Sequence, residues 1–139
     1  MTPPGRVLAV DYGSKRVGLA LSDPLRILAK PFKVIPNEGL AGILTDLKAT
    51  IAEQGVTLLI CGIPYAIEGG DTPKTTETKA FLAKLAAALE VPVLPWDERY
   101  STDEAVRELI KLGYGWKQRR PIQDAMAAAM ILKSYLESL

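Results

Sequence analysis

The chain contains no histidine. That absence removes Ser-His and Cys-His nucleophilic pairs, imidazole acid-base catalysis and His-ligated zinc, and leaves carboxylates as the agents of any chemistry. The single cysteine, Cys61, lies inside an apolar run with no partner for an intrachain disulfide, which suits a reducing cytosol and a core position. Charge is nearly balanced, 17 basic residues against 16 acidic, so no global field announces a nucleic-acid binder and any such surface must come from local segregation of charge. No apolar run approaches the ~20 residues of a membrane span, and residues 1–4 precede the first strand without the apolar region of a signal peptide. A cytoplasmic protein with no membrane partner is expected. At 139 residues, a single domain over 1–139 is expected, able to bury about two-thirds of its unfolded surface.

What is present begins with two apolar runs of strand length, 7–10 and 17–22, joined by a short turn carrying Gly13, Ser14 and Lys15, a hairpin pattern. A run as continuously apolar as 7–10 belongs in the middle of a sheet, covered on both faces, yet it ends in Asp11. Residues 30–35 read as a third strand, with Pro31 and Pro36 marking an edge. Leu40, Ile43, Leu44, Leu47 and Ile51 recur at helical spacing over 39–54, and Gly55 supplies the stop. A second fully apolar strand covers 57–61 and ends at Gly62-Ile63-Pro64. The loop 65–73, with Gly69-Gly70, is expected to be mobile. A helix over 73–90 turns Phe81, Leu82, Leu85 and Leu89 inward, and 91–96 is a further strand whose Pro92 and Pro95 again indicate an edge. Trp96 is expected in the core.

Ser101-Thr102-Asp103-Glu104 is a capping-box pattern for a helix to Leu112, closed by Gly113. Residues 111–120 hold Lys111, Lys117, Arg119 and Arg120 beside Tyr114 and Trp116 and contain no acid. The last helix, 121–139, is so apolar over 125–132 that it must be largely buried. Three strands joined by short turns form an antiparallel meander, and the two later strands, each reached through a helix, lie parallel to the first. The expectation is a mixed five-stranded α/β sheet with helices on both faces.

In such a sheet the first, fourth and fifth strands end at one edge, where ligands bind in open α/β sheets. Asp11, the pair Asp97-Glu98 and Asp124, at the start of the last helix, can meet there. Converging carboxylates repel one another unless a cation lies between them, and an oxygen-only set suits Mg²⁺ or Mn²⁺. Two such ions about 4 Å apart are a common device for hydrolysing a phosphodiester. Each residue also has a plainer reading: Asp11 as a turn residue, Asp124 as a complement to the helix dipole, Glu98 as a solvated strand end. Pleat alternation puts Asp97 and Glu98 on opposite faces without saying which enters the site. The basic segment is either solvated surface or a loop holding phosphates and stacking on bases.

The stretch 11–23 (Asp-Tyr-Gly-Ser-Lys-Arg-Val-Gly-Leu-Ala-Leu-Ser-Asp), Gly62-Ile63-Pro64, Asp97-Glu98-Arg99-Tyr100-Ser101-Thr102 and Asp124-Ala125-Met126-Ala127-Ala128 together resemble the YqgF/RuvX family, in order and over essentially the whole chain. The resemblance implies an RNase H-like fold related to Holliday junction resolvases. It also implies an acidic triad Asp11, Glu98 and Asp124 as catalytic and metal-holding residues, choosing Glu98 over Asp97. The family's members are regarded as candidate nucleases, assigned mainly to processing the precursor of 16S rRNA in ribosome biogenesis, with junction resolution as the rival. The expected function is therefore metal-dependent endonuclease action on structured nucleic acid, with Lys15, Arg16, Arg99, Lys117, Arg119 and Arg120 as candidate nucleic-acid contacts and a homodimer on a symmetric junction. The chain departs from the family where an Asn usually follows Gly-Leu-Pro: it has Tyr65-Ala66-Ile67.

Two other classes compete. Asp11-Tyr12-Gly13-Ser14-Lys15 resembles the first phosphate-binding turn of the actin, Hsp70 and sugar-kinase ATPases, although those need two such domains. A non-catalytic nucleic-acid-binding module would keep the carboxylates as turn and cap residues.

Overall fold

The computed structural model describes residues 3–100, 107, 110–111, 113 and 123–139. Most of the expected helix 101–112 lies outside the described residues, as do Lys117, Arg119 and Arg120 of the basic segment. Among the described residues, five strands form one sheet: β1 (Arg6–Tyr12), β2 (Arg16–Ser22), β3 (Ala29–Pro36), β4 (Val56–Ile63) and β5 (Val93–Asp97). Their order is β3-β2-β1-β4-β5, with β1, β2 and β3 antiparallel and β1, β4 and β5 parallel. This is the expected topology, and the two proline-bearing strands are the two edges.

Among the described residues, α1 (Leu40–Gln54), α2 (Pro73–Ala88) and α3 (Gln123–Glu137) cover the sheet. Alternation along β1 sends Leu8 and Val10 to one face, where Ile43 and Leu47 of α1 and Phe81 and Leu85 of α2 pack. Val7 and Ala9 go to the other, against Met126, Ala128, Ala129, Ile131 and Leu132 of α3. Small alanines on both α3 and the sheet let helix and strands approach closely. Cys61 is fully buried in the first cluster, as expected.

Local signals set the boundaries. Gly55 ends α1 in the left-handed region at φ 66°, its amide donating to the Ile51 carbonyl. Thr72 and Thr75 cap α2 reciprocally, with Pro73 in the first turn. β5 starts at Val93 rather than at 91, because Pro92 has no amide to donate, although its carbonyl accepts from the Leu59 amide at 3.0 Å. Trp96 is half-buried rather than enclosed: its indole N–H donates to Ser134 Oγ at 2.7 Å and its ring meets Tyr135 edge-on. No helix among the described residues is long and apolar enough to cross a membrane.

Candidate active site

Asp11 continues the Val7–Ala9 row of β1 toward the face covered by α3, and its neighbours in that row are both glycines. Gly18 is its register partner on β2, and Gly62 follows Cys61, the partner of Val10, on β4. Both glycines are needed for their lack of bulk. A Cβ on Gly18 would stand 1.9 Å from the Asp124 carbonyl oxygen, and one on Gly62 would stand 2.8 Å from Glu98 Cγ and 2.6 Å from Ile131 Cδ1. The two gaps are filled by the first turn of α3 on one side of Asp11 and by the Glu98 side chain on the other. A short 3₁₀ turn, Glu98–Tyr100, follows β5 and separates the adjacent acids. Asp97 accepts from the Arg99 side chain at 2.6 Å, while Glu98 turns to Asp11.

Burial is the main influence on both inward carboxyls and raises both. Glu98 is pushed up to about 7, by desolvation first and then by the charge of Asp11, to which it donates a hydrogen bond. Asp11 is raised by burial and by the nearby charge of Asp124, and lowered by the bond from Glu98 and by the charge of Lys74. Half-buried side by side, the two carboxyls cannot both ionise cheaply unless a cation comes between them. Asp124 is differently placed: it pairs with Arg16 Nε at 2.7 Å, at the mouth of the site. Among the described residues, no group of three or more acids or cysteines is arranged as a finished metal cage. Asp11 and Glu98 are together, Asp124 is close enough for its charge to reach Asp11, and Arg16 is its present partner. The donor set, carboxylate oxygen only, is that of a hard divalent cation.

The basic residues differ in what they do. Lys15 in the hairpin turn and Arg16 at the start of β2 are exposed, and Asn37 pins the turn by donating to the Gly13 carbonyl and to the Lys15 carbonyl. Arg99 is a strap: besides Asp97, its guanidinium donates to the carbonyls of Ala66 and Ile67 at 3.3 Å and lies over Tyr65. Lys79 lies over the same ring and pairs with Asp71 at 2.9 Å. The loop 65–73, expected to be mobile, carries several ties: Arg99 and Lys79 hold it, and the Thr75 hydroxyl donates to the carbonyl of Pro64, just before it, at 2.5 Å.

Sequence reasoning missed Lys74. Its charge is felt by both Asp11 and Glu98, and its ammonium lies 5.3 Å from the centre of the Tyr12 ring. The signal available was topological: a helix following a strand of a parallel pair starts at the edge where that strand ends, so a lysine in its first turn faces the site.

The family model for RuvX, described as Holliday junction resolvase, matches residues 5–138. A curated relative from Geobacillus kaustophilus, named as a candidate pre-16S rRNA nuclease, is 40% identical over 135 residues, covering 96% of this chain and 98% of its own. One from Paramagnetospirillum magneticum, of the same name, is 38% identical over 133 residues, covering 96% and 86%. Among solved structures, Thermus thermophilus RuvC in complex with a Holliday junction substrate superposes with TM-score 0.61 at 15% identity, covering 96% and 95% of the two chains. The fowlpox virus Holliday junction resolvase gives 0.57 at 13%, covering 96% and 99%. At such identities the likeness is one of fold, and that fold is RNase H-like.

Proposed function

The chain belongs to the RuvX family, and on that premise we propose that it is a divalent-metal-dependent endonuclease cutting structured nucleic acid, with the 5′ end of the 16S rRNA precursor as substrate. The observation that carries this reading is the Gly18–Asp11–Gly62 row, where two missing side chains make room for Glu98 and the Asp124 turn beside one buried aspartate. A merely structural turn residue would not need such clearance on both sides.

Asp11, Glu98 and Asp124 would hold Mg²⁺ or Mn²⁺, which when bound would supply Lewis acidity toward the attacking water and the departing oxygen. The protein's own contributions are distinct. β1, in the middle of the sheet, holds Asp11 rigidly; the 3₁₀ turn delivers Glu98; and α3 carries Asp124, which would have to give up its pair with Arg16 to hold an ion. A cation beside Glu98 would favour its ionised form, so metal binding at this site would release a proton near neutral pH. Arg16, at the mouth of the site, would then be free to contact phosphate, and Lys117, Arg119 and Arg120 would serve as further phosphate contacts. A cytoplasmic location fits this role.

The family description favours a second substrate, the four-way DNA junction. Cleavage of a precursor-derived RNA hairpin and of a four-way junction, each with Mn²⁺ and with chelator, tests the reading. Metal-dependent cutting of the RNA supports it, cutting of the junction alone favours the rival, and cutting of neither rejects both.

A further inference from the structure

We propose that Lys74 binds the phosphate that is cut, its ammonium taking a non-bridging oxygen beside Asp11 when the carboxylates hold their cation. This inference rests on the nuclease reading above and adds a substrate-binding residue to that site.

The position of Lys74 is fixed from three directions. It is the second residue of α2, behind Pro73 and the Thr72–Thr75 cap. The Thr75 hydroxyl ties that first turn to the Pro64 carbonyl, just beyond the end of β4. Tyr12, next to Asp11, stacks on Phe81 of the same helix with ring centres 4.0 Å apart, and the Lys74 ammonium lies 5.3 Å from the centre of the Tyr12 ring. The half-buried side chain therefore has a defined place at the sheet edge.

Its chemistry is unusual for a structural lysine. Lys79, five residues on, closes an ion pair with Asp71, whereas Lys74 forms no ion pair among the described residues. Its charge reaches both Asp11 and Glu98, yet it hydrogen-bonds to neither. A lysine kept only to neutralise those carboxyls would gain most by touching one. When a divalent ion occupies the carboxylates, Lys74 faces added positive charge, and the anion that relieves it is a phosphate. The amino-terminal end of α2 adds its partial positive charge on the same side.

The test compares full-length wild type, Lys74→Gln and Lys74→Arg on the RNA hairpin and the four-way junction in Mn²⁺ over a range of salt, together with the Mn²⁺-induced shift in melting temperature. Losing one charged contact to phosphate should lower kcat/KM of Lys74→Gln by at least about 10-fold. It should flatten the log–log salt dependence on the DNA junction by about 0.9, while the Mn²⁺ shift stays the same or grows. Lys74→Arg should recover most of the activity. Wild-type rates and salt slope in Lys74→Gln would overturn the inference, and so would a loss of activity that tracks a loss of the Mn²⁺ shift. In both cases the nuclease reading stands, because wild type still cuts. A wild-type protein that cuts neither substrate overturns both.

Discussion

The backbone of Asp124 rests directly on Gly18: a Cβ there would lie 1.9 Å from the Asp124 carbonyl oxygen and 3.0 Å from the Ala125 amide nitrogen. Backbone cannot swing aside as a flexible side chain can, so Gly18→Ala must lift the first turn of α3. The expected cost is about 1–3 kcal/mol of stability, together with a fall in cleavage well beyond what the lost stability explains. Gly42→Ala is the control. Nothing stands within 4 Å of that position on α1, and alanine there should stabilise by about 0.5–1 kcal/mol. Melting temperatures and cleavage rates of the two variants check this.

Arg16 and Asp124 form an exposed pair, with side-chain exposures of 62% and 34%. Breaking it with Arg16→Ala should change stability by at most about 1 kcal/mol. Asp124 is then released from a competing cation, so the Mn²⁺ concentration giving half the thermal shift should fall. An unchanged or higher midpoint would mean that Arg16 helps to position Asp124 for the ion.

Glu98 is held up at about 7 against its ordinary 4.5, with burial the leading cause, and Asp11 is raised as well. Between those values the metal-free folded protein binds more protons than the unfolded chain, so its stability should decline as pH rises from 4.5 through 7 and level off above. Denaturant midpoints in chelator across that range should show the decline from these groups. Glu98→Gln should remove most of it, and added Mn²⁺ should oppose it.

The layout of the sheet was readable because it rests on local signals. The unbroken apolar runs of β1 and β4, the prolines of β3 and β5, and the helical spacing of Ile43, Leu47, Phe81 and Leu85 each point to one place in the sheet. The periodic pattern of β5 could not decide between Asp97 and Glu98, because a 3₁₀ turn, rather than continued pleat, sets their directions. The pairing of Arg16 with Asp124 was not readable, since it depends on how a helix start meets a strand far away in sequence, whereas Lys74 was readable only through the topological rule that a helix following a parallel strand starts at the site's edge. Arg99 stands among the expected nucleic-acid contacts; its strap to the loop 65–73 is visible only in three dimensions. Gly18 and Gly62 carried a signal in plain view, two glycines in otherwise apolar strands, which is the mark of a close approach.

The basic segment makes a separable prediction. Replacing Lys117, Arg119 and Arg120 together with Ala should weaken binding to every sequence alike and flatten its salt dependence by roughly three units of slope at most. Unchanged affinity, measured by titration of either substrate at several salt concentrations, would make the segment solvated surface.

The central claim is that Asp11 is kept for chemistry at some cost to the metal-free fold, and one variant tests it most directly. Asp11→Asn keeps the shape and an acceptor for Glu98 while removing a charge that burial and Asp124 both disfavour. Metal-free stability, the Mn²⁺-induced thermal shift and the cleavage rate should be measured together on this protein. The account predicts equal or greater metal-free stability, a smaller Mn²⁺ shift and cleavage reduced by at least ~100-fold, since even the outer partners of a metal are worth about 10- to 100-fold. A destabilised variant that still cuts nucleic acid at the wild-type rate would contradict it.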